Sequence, residues 1–443
     1  MVRRSNWPTL FLFGLICLGN LAGQNLCAQD LGIYMMSRDQ VFRGRNPAIP
    51  FSKNTIIGLP EGNGILNRQT GTGDWLISQP DGSRKLSLAG GWEGLKGGNY
   101  DVNVSWGLRT FFIGKKFDRF QLGIYHEIEG NAFVEFNKHL VGILGFGNYG
   151  YLQKEPLAKE QPLDLHVSLK NEVFNGFGFQ VGYQFNKWSL GGSFRYLSGL
   201  QELHTEVNQL TLDIRDPLAI RAMEDWKVYS ANLIDELSLD SIQVIPFNEQ
   251  DVLGRHPGLS GSVGISYQSP QALFAIQWKD IGSIQWKKGN VFSRNASTHY
   301  SGIEVPNLLT IDQNVFNSIG DTLKKIASVK ELPQNYRTSL RSNILAEFQY
   351  TFSNKWTVGS AVNYYFNRQQ WRAMAGINYQ LLEILTLGSH FSYHSAGRLN
   401  LGIHAALRLA AFNLFINTDH IQSVYPTDDI SQLSARAGIS LMW

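Results

Sequence analysis

The sequence predicts an all-β fold: a transmembrane antiparallel β-barrel of about 14 strands, within a range of 12 to 16, with an N-terminal plug-like segment. Three observations lead there. Apolar and polar residues alternate over segments of roughly ten residues, the length of a tilted strand crossing the hydrocarbon. Aromatic residues gather beside short turns. Beyond the first thirty residues no apolar run is long enough for a membrane helix. A membrane protein of this composition must then be a barrel, because only helices and closed barrels pair every backbone group in lipid.

The chain opens with Arg3 and Arg4, then the apolar run from Leu10 to Leu18, then Leu26-Cys27-Ala28 before Gln29. This is the layout of a secretory signal peptide, read here as residues 1–28. A membrane anchor needs roughly 20 apolar residues and fits less well. A lipoprotein fits less well again, since Gln24-Asn25-Leu26 puts no small residue before Cys27. Both cysteines, Cys17 and Cys27, fall in this segment, so the expected mature chain has no disulfide and no thiolate site. Lys and Arg number 39 against 36 Asp and Glu, which excludes the basic footprint of a nucleic-acid binder.

Residues 29–83 are rich in Gly, Asn and Pro and alternate poorly. They could form a plug, a loop inside the barrel or an irregular first strand. The barrel is expected over 84–443, with long connections at about 201–256 and 289–340. Mixed helical character runs from Asp216 to Leu237, and Asp321 to Lys330 reads as a short helix capped by Asp321.

The clearest hairpin lies at 177–196. Phe177, Phe179, Val181, Tyr183 and Phe185 share one face, with Gly178, Gln180, Gly182 and Gln184 opposite. After Asn186-Lys187, the residues Trp188, Leu190, Phe194 and Tyr196 face one way and Ser189, Ser193 and Arg195 the other. The same alternation recurs from Tyr100 to Arg109, Leu163 to Lys170, Asn343 to Phe352 and Leu399 to Arg408. Short turns near 186–187, 269–270, 353–355 and 410–411 are assigned to the periplasm, where barrels of this class turn tightly. Tyr183, Trp188, Tyr350 and Trp356 bracket two of these turns and form the expected aromatic belt. In the last segment Leu433, Ala435, Ala437, Ile439, Leu441 and Trp443 share a face. Ile439, Leu441 and the terminal Trp443 are read as the signal for the outer-membrane insertion machinery.

Charged and polar residues on the other face point into the expected lumen: Arg109, Arg195, Glu347, His404, Arg408 and Arg436. They suit either an ion-pair network that closes the barrel or the lining of a solute path. His390 and His394 stand four apart in a strand, a span of roughly 13 Å that one metal ion cannot bridge. The sequence holds no nucleophile elbow, zinc-protease helix or phosphate loop. No catalytic, cofactor-binding or metal residue is assigned, and no cofactor is expected.

Several segments resemble a family of Bacteroidota outer-membrane barrels of unestablished role. They are Asn46-Pro47-Ala48, Ile57-Gly58-Leu59-Pro60, Phe194 to Gly199, Asp280 to Trp286, Leu323 to Pro333, and Thr418-Asp419-His420-Ile421, where the usual Asn is His420. The Asn-Pro-Ala element is also similar to that of fatty-acid channels (FadL-like barrels) and of the PorP/SprF and PorV components of type IX secretion. The resemblance implies an integral outer-membrane protein that meets membrane lipid and envelope or secretion proteins. It supplies no catalytic residue. The first functional expectation is a non-enzymatic envelope component, an accessory of type IX secretion or surface assembly. The alternative is a FadL-like transporter for a hydrophobic small molecule. A hydrolase would need a Ser or His beside a carboxylate at the rim, and no motif offers one.

Overall fold

The computed structural model describes residues 46–51, 53–68, 75–78, 84–95, 99–155, 160–215, 220–237, 242–244, 255–300, 329–366, 370–394, 399–421 and 432–443. The expected signal peptide and residues 321–328 of the expected loop helix lie outside them.

In chain order the strands are β1 (Thr55–Arg68), β2 (Leu76–Ser78), β3 (Arg84–Leu86), β4 (Asn99–Phe117), β5 (Phe120–Asn137), β6 (Leu163–Asp164), β7 (Val167–Phe185), β8 (Trp188–Asp213), β9 (Ile220–Ala231), β10 (Ile234–Leu237) and β11 (Ile242–Val244). There follow β12 (His256–Gln268), β13 (Ala272–Tyr300), β14 (Lys330–Ser339), β15 (Asn343–Thr351), β16 (Trp356–Tyr365), β17 (Gln370–Leu382), β18 (Leu385–His394), β19 (Leu399–Leu409), β20 (Phe412–Thr418) and β21 (Gln432–Met442). Two helices stand between strands, α1 (Leu88–Gly94) and α2 (Lys138–Lys154).

Fourteen strands form one closed antiparallel wall: β1, β4, β5, β7, β8, β12, β13, β15 to β20, and β21, which pairs back onto β1. Closure leaves no edge to be satisfied by lipid. The expected fold class holds.

Burial along these strands is the reverse of a soluble sandwich. The oily residues are exposed and the polar ones enclosed. Phe179 is 46% exposed and Phe194 51%, while Arg195 is 5% and Ser189 3%. On β21, Leu433 and Ile439 face outward beside the exposed Trp443, while Ser434, Arg436 and Ser440 are buried. Exposed aromatics fall at two heights. Tyr183, Trp188, Tyr350, Trp356 and Trp443 mark the level of the short turns. Trp106, Tyr196, Trp278, Tyr364, Trp371 and Tyr393 mark the opposite end. Rings at two levels bracket an apolar band, as the two interfaces of a bilayer require. Val181 lies opposite Gly192, midway between them. Val181→Arg is therefore expected to destabilise the reconstituted barrel by ~2–4 kcal/mol, read from urea unfolding in lipid. No measurable cost would mean that this face does not meet acyl chains.

Four expectations are corrected. The stretch 201–256 is not a long connection throughout. β8 runs on to Asp213, and β9 lies where helical character was read. Likewise β13 continues to Tyr300 and β14 begins at Lys330, inside the connection expected at 289–340. These strands stand above the membrane, where both faces meet water and no greasy stripe is enforced, so their pattern is polar on both sides. The barrel does not start at residue 84, because β1, within 29–83, is a wall strand, which matches the irregular first strand among the three readings of that stretch. Its poor alternation has a cause: the register slips between Gly58 and Glu61, at Leu59-Pro60. Finally, Tyr100 and Val102 belong to the oily face but are covered by protein. With Phe136 they pack under α1 and α2, where Trp92 meets Phe146 and Tyr151 edge-on.

Candidate functional site

The candidate site is the lumen, built in three layers. The lowest is a plug. Asn46-Pro47-Ala48 makes a turn in which Asn46 Oδ1 accepts the Ala48 N–H at 3.1 Å and Asn46 O accepts the Ile49 N–H at 3.1 Å. The wall grips this turn through the backbone. Gln121 Nε2 donates to Pro47 O at 2.9 Å and Ile49 O at 3.0 Å, and its Oε1 accepts the Phe51 N–H at 2.7 Å. Ser266 Oγ donates to Ala48 O at 2.7 Å. Asn46 Nδ2 reaches across to Glu347 Oε1 at 3.3 Å. Gly182 and Gly191 on the facing wall are required here, since a Cβ would sit 2.5 Å and 2.1 Å from Pro47 O.

Above the plug runs a belt of enclosed ion pairs. At its centre Arg195 donates from Nη1 to Glu127 Oε1 at 2.5 Å and Glu129 Oε1 at 3.3 Å, from Nη2 to Asp280 Oδ1 at 2.5 Å, and from Nε to Ser260 Oγ at 2.8 Å. Arg109 pairs with Glu127 Oε2 at 3.3 Å and lies over the Tyr125 ring. Arg436 pairs with Glu61 through Nε at 2.8 Å and through Nη2. On the far wall Arg372 Nη2 donates to Asp419 Oδ2 at 2.6 Å. His390 Nε2 meets Asp419 Oδ1 at 2.9 Å, and His404 Nε2 meets Asn378 Oδ1. Asp280 is held at a positive φ of 59° where β13 slips register against β12. The slip turns its carboxylate toward Arg195.

The third layer is apolar. Phe174, Leu197, Ala231, Ile284, Trp286 and Leu340 pack together inside the lumen, with Tyr336 against them. Gly199 makes this possible, because a Cβ there would meet the Trp286 ring at 2.5 Å. Between belt and apolar layer is a cavity of about 120 Å³ lined on one side by Arg109, Glu127, Arg195 and Asp280 and on the other by Phe174 and Leu340. Here the wall itself is interrupted. β9 ends at Ala231 and β12 begins at His256, both between β8 and β13. Side chains close the gap: the Lys287 N–H donates to His256 Nδ1 at 3.0 Å, and Asn232 Nδ2 donates to Leu200 O at 3.0 Å. The His256 ring lies 5.1 Å from that of Trp286.

Residues 93–419 match the profile of the family of unknown function DUF5723. The chain belongs to that family. No curated protein matches the sequence. Among solved structures, the chain is similar to the toluene transporter TodX of Pseudomonas putida, at 12% identity over 90% of this chain and 92% of that one, with a TM-score of 0.41. It is also similar to a FadL homologue of Pseudomonas aeruginosa, at 9% identity over 91% of each chain, with a TM-score of 0.44. The toluene transporter TbuX of Ralstonia pickettii is similar at 10% identity over 96% of this chain and 97% of that one, with a TM-score of 0.40.

In this DUF5723 chain the structure places Arg109, Arg195, Glu347, His404 and Arg436 on the inner face, all buried. Arg109 and Arg195 share Glu127, Arg436 stands at Glu61, and Glu347 serves the plug rather than the belt. Arg408 is a correction. It keeps the parity of His404 but is exposed at the end of β19 beside the 410–411 turn, so it lines the rim and not the enclosed lumen. The carboxylate partners Glu61, Glu127, Glu129 and Asp419 were not singled out from sequence. Glu127 and Glu129 were available: they alternate with Ile124 and Ile128 as a polar face would. Asp280 and Asp419 lie in the family-like segments, where the sequence assigns neither a role. Among the described residues no three His, Cys, Asp or Glu side chains group to hold a metal ion.

Proposed function

We propose that the protein is an integral outer-membrane passage for a small hydrophobic molecule. One observation supports this reading above the rest: a layer of Phe174, Leu197, Ile284, Trp286 and Leu340 inside the lumen, above the charged belt and beside the interruption between β9 and β12. A barrel held only by its ion pairs has no need of an apolar layer at a break in its wall. Apolar solutes partition into such a chamber, while the belt excludes ions.

The test uses the purified barrel in detergent, titrated with a medium-chain fatty acid and with a monoaromatic hydrocarbon, reading tryptophan emission. A saturable change that disappears in Trp286→Phe is expected, with affinity weakened at least tenfold by Leu197→Asp, since a carboxylate in this layer is uncompensated. No saturable change with either probe would remove the proposal.

A second reading is an accessory of secretion or surface assembly, type IX secretion included. It draws on the resemblance of the Asn-Pro-Ala element and on one structural feature. β8 and β13 run 26 and 29 residues, against 9 to 13 for β15 to β19, so one side of the rim rises well above the bilayer. A stoichiometric protein partner in material purified from native membranes, without bound lipid or hydrophobic solute, would favour it.

A further inference from the structure

Outside the wall, at the height of the upper aromatic ring, a groove of about 730 Å³ is lined by Tyr196, Pro257, Leu259, Gln285, Asn335 and Arg337, among others. Its lower part is oily: Tyr196 and Leu259 are exposed on the lipid face, Leu259 by 53%. Its upper part carries Arg337, and two further cations, Lys287 and Lys288, follow the lining residue Gln285 along β13, at the groove's upper edge. β13 slips register against β14 between Trp286 and Gly289, so Lys287 and Lys288 together stand opposite the single residue Asn335, and both side chains are exposed. Lys288 is held at φ 52°, its N–H donating to Asn335 Oδ1 at 2.8 Å. Arg337 stands across the ladder from Gln285, its Nε on Ser283 Oγ at 2.5 Å, with the rest of the guanidinium left to face solvent. Among the described residues none of these three cations is in a salt bridge. Two adjacent strands thus present three positive charges, Arg337 diagonal to the lysines at roughly 7–8 Å, immediately above an oily surface.

Position decides what such a surface meets. The short turns mark the periplasmic end, so the upper ring lies at the outer leaflet. Headgroup phosphates stand at that level and acyl chains below it. A bare anion would be met by the cations alone and would leave Tyr196 and Leu259 unexplained. A nucleic acid or an acidic peptide would approach from water and not from the side. We propose that this groove binds a phosphorylated lipid of the outer leaflet. Its phosphate lies among Lys287, Lys288 and Arg337, the guanidinium suiting two phosphate oxygens at once. Its acyl chain runs down over Tyr196 and Leu259. This proposal does not depend on what passes through the lumen.

The experiment uses the full barrel in an uncharged detergent with dioleoyl phosphatidic acid or dioleoyl phosphatidylcholine as probe, counting retained lipid by native mass spectrometry. Phosphatidic acid is expected to bind at least tenfold tighter than phosphatidylcholine. Lys287→Gln with Lys288→Gln and Arg337→Gln should abolish that preference. Lys115→Gln with Lys116→Gln and Arg119→Gln, at the opposite rim, should keep it. Folding of both triple variants is checked by their mobility on gels before and after heating. Retention of the preference in the first variant, or equal loss in the second, would overturn the site. Full displacement of phosphatidic acid by millimolar inorganic phosphate would show a free-anion site and would overturn the lipid assignment.

Discussion

Arg195→Met is expected to weaken the barrel more than any other single change inside it. The guanidinium is 6% exposed and joins Glu127, Glu129 and Asp280, three carboxylates contributed by β5 and β13. Removing it leaves the enclosed Glu127 and Asp280 with Arg109, which reaches Glu127 at 3.3 Å and makes no salt bridge to Asp280 among the described residues. Breaking a buried pair from one side costs about 3–5 kcal/mol, because the remaining charge loses its partner without regaining water. Urea unfolding in micelles should show a loss of that order. Adding Asp280→Asn and Glu127→Gln to Arg195→Met should recover a large part of it, since neutral amides tolerate enclosure better. A loss below about 1 kcal/mol in the single variant would mean that water reaches the belt freely, as for an exposed pair.

The same pair shows what the sequence could and could not disclose. The lipid face was legible because the bilayer enforces it: Phe177 to Tyr196 and Leu433 to Trp443 must alternate or fail to insert. Arg109, Arg195 and Arg436 were legible as inward residues by parity alone. Their partners were not, because parity gives a face but no neighbour across the lumen. Asp280 is out of phase in β13, and only the register slip turns it toward Arg195. Apart from Leu323 to Pro333, most of which lies outside the described residues, the segments that resemble a family are places where the ladder is interrupted or gripped. Leu59-Pro60 is the slip in β1. Arg195 and Gly199, from one segment, meet Asp280 and Trp286, from another, by an ion pair and by close packing. Asp419 gathers Arg372 and His390. Short motifs at irregular positions carry long-range contacts that periodicity is blind to. The upper halves of β8, β9 and β13 were hidden for the opposite reason: in water nothing imposes a pattern on them.

Gly191→Leu is expected to unseat the plug while leaving the wall intact. A Cβ at this position would lie 2.1 Å from Pro47 O, 2.2 Å from Pro47 C and 2.4 Å from the Ala48 nitrogen. All three are backbone atoms, so no side chain can rotate away. The turn must move off the wall, and with it go the bonds to Gln121, Ser266 and Glu347, each worth about 1 kcal/mol net. The expected mature chain has no cysteine, so Ala48→Cys supplies a single reporter at a position that is fully buried. Its reaction with a water-soluble maleimide should be slow in the parent and at least tenfold faster with Gly191→Leu, on the argument that local opening sets the rate. Gly192→Leu is the control. It neighbours Gly191 on the same strand but faces outward, and its Cβ would meet nothing nearer than Ser262 O at 3.6 Å. Equal acceleration by both substitutions would trace the effect to the strand and not to the plug. No acceleration by Gly191→Leu would mean that the Asn-Pro-Ala turn is not seated against this wall at all, and the floor of the lumen would have to be sought elsewhere.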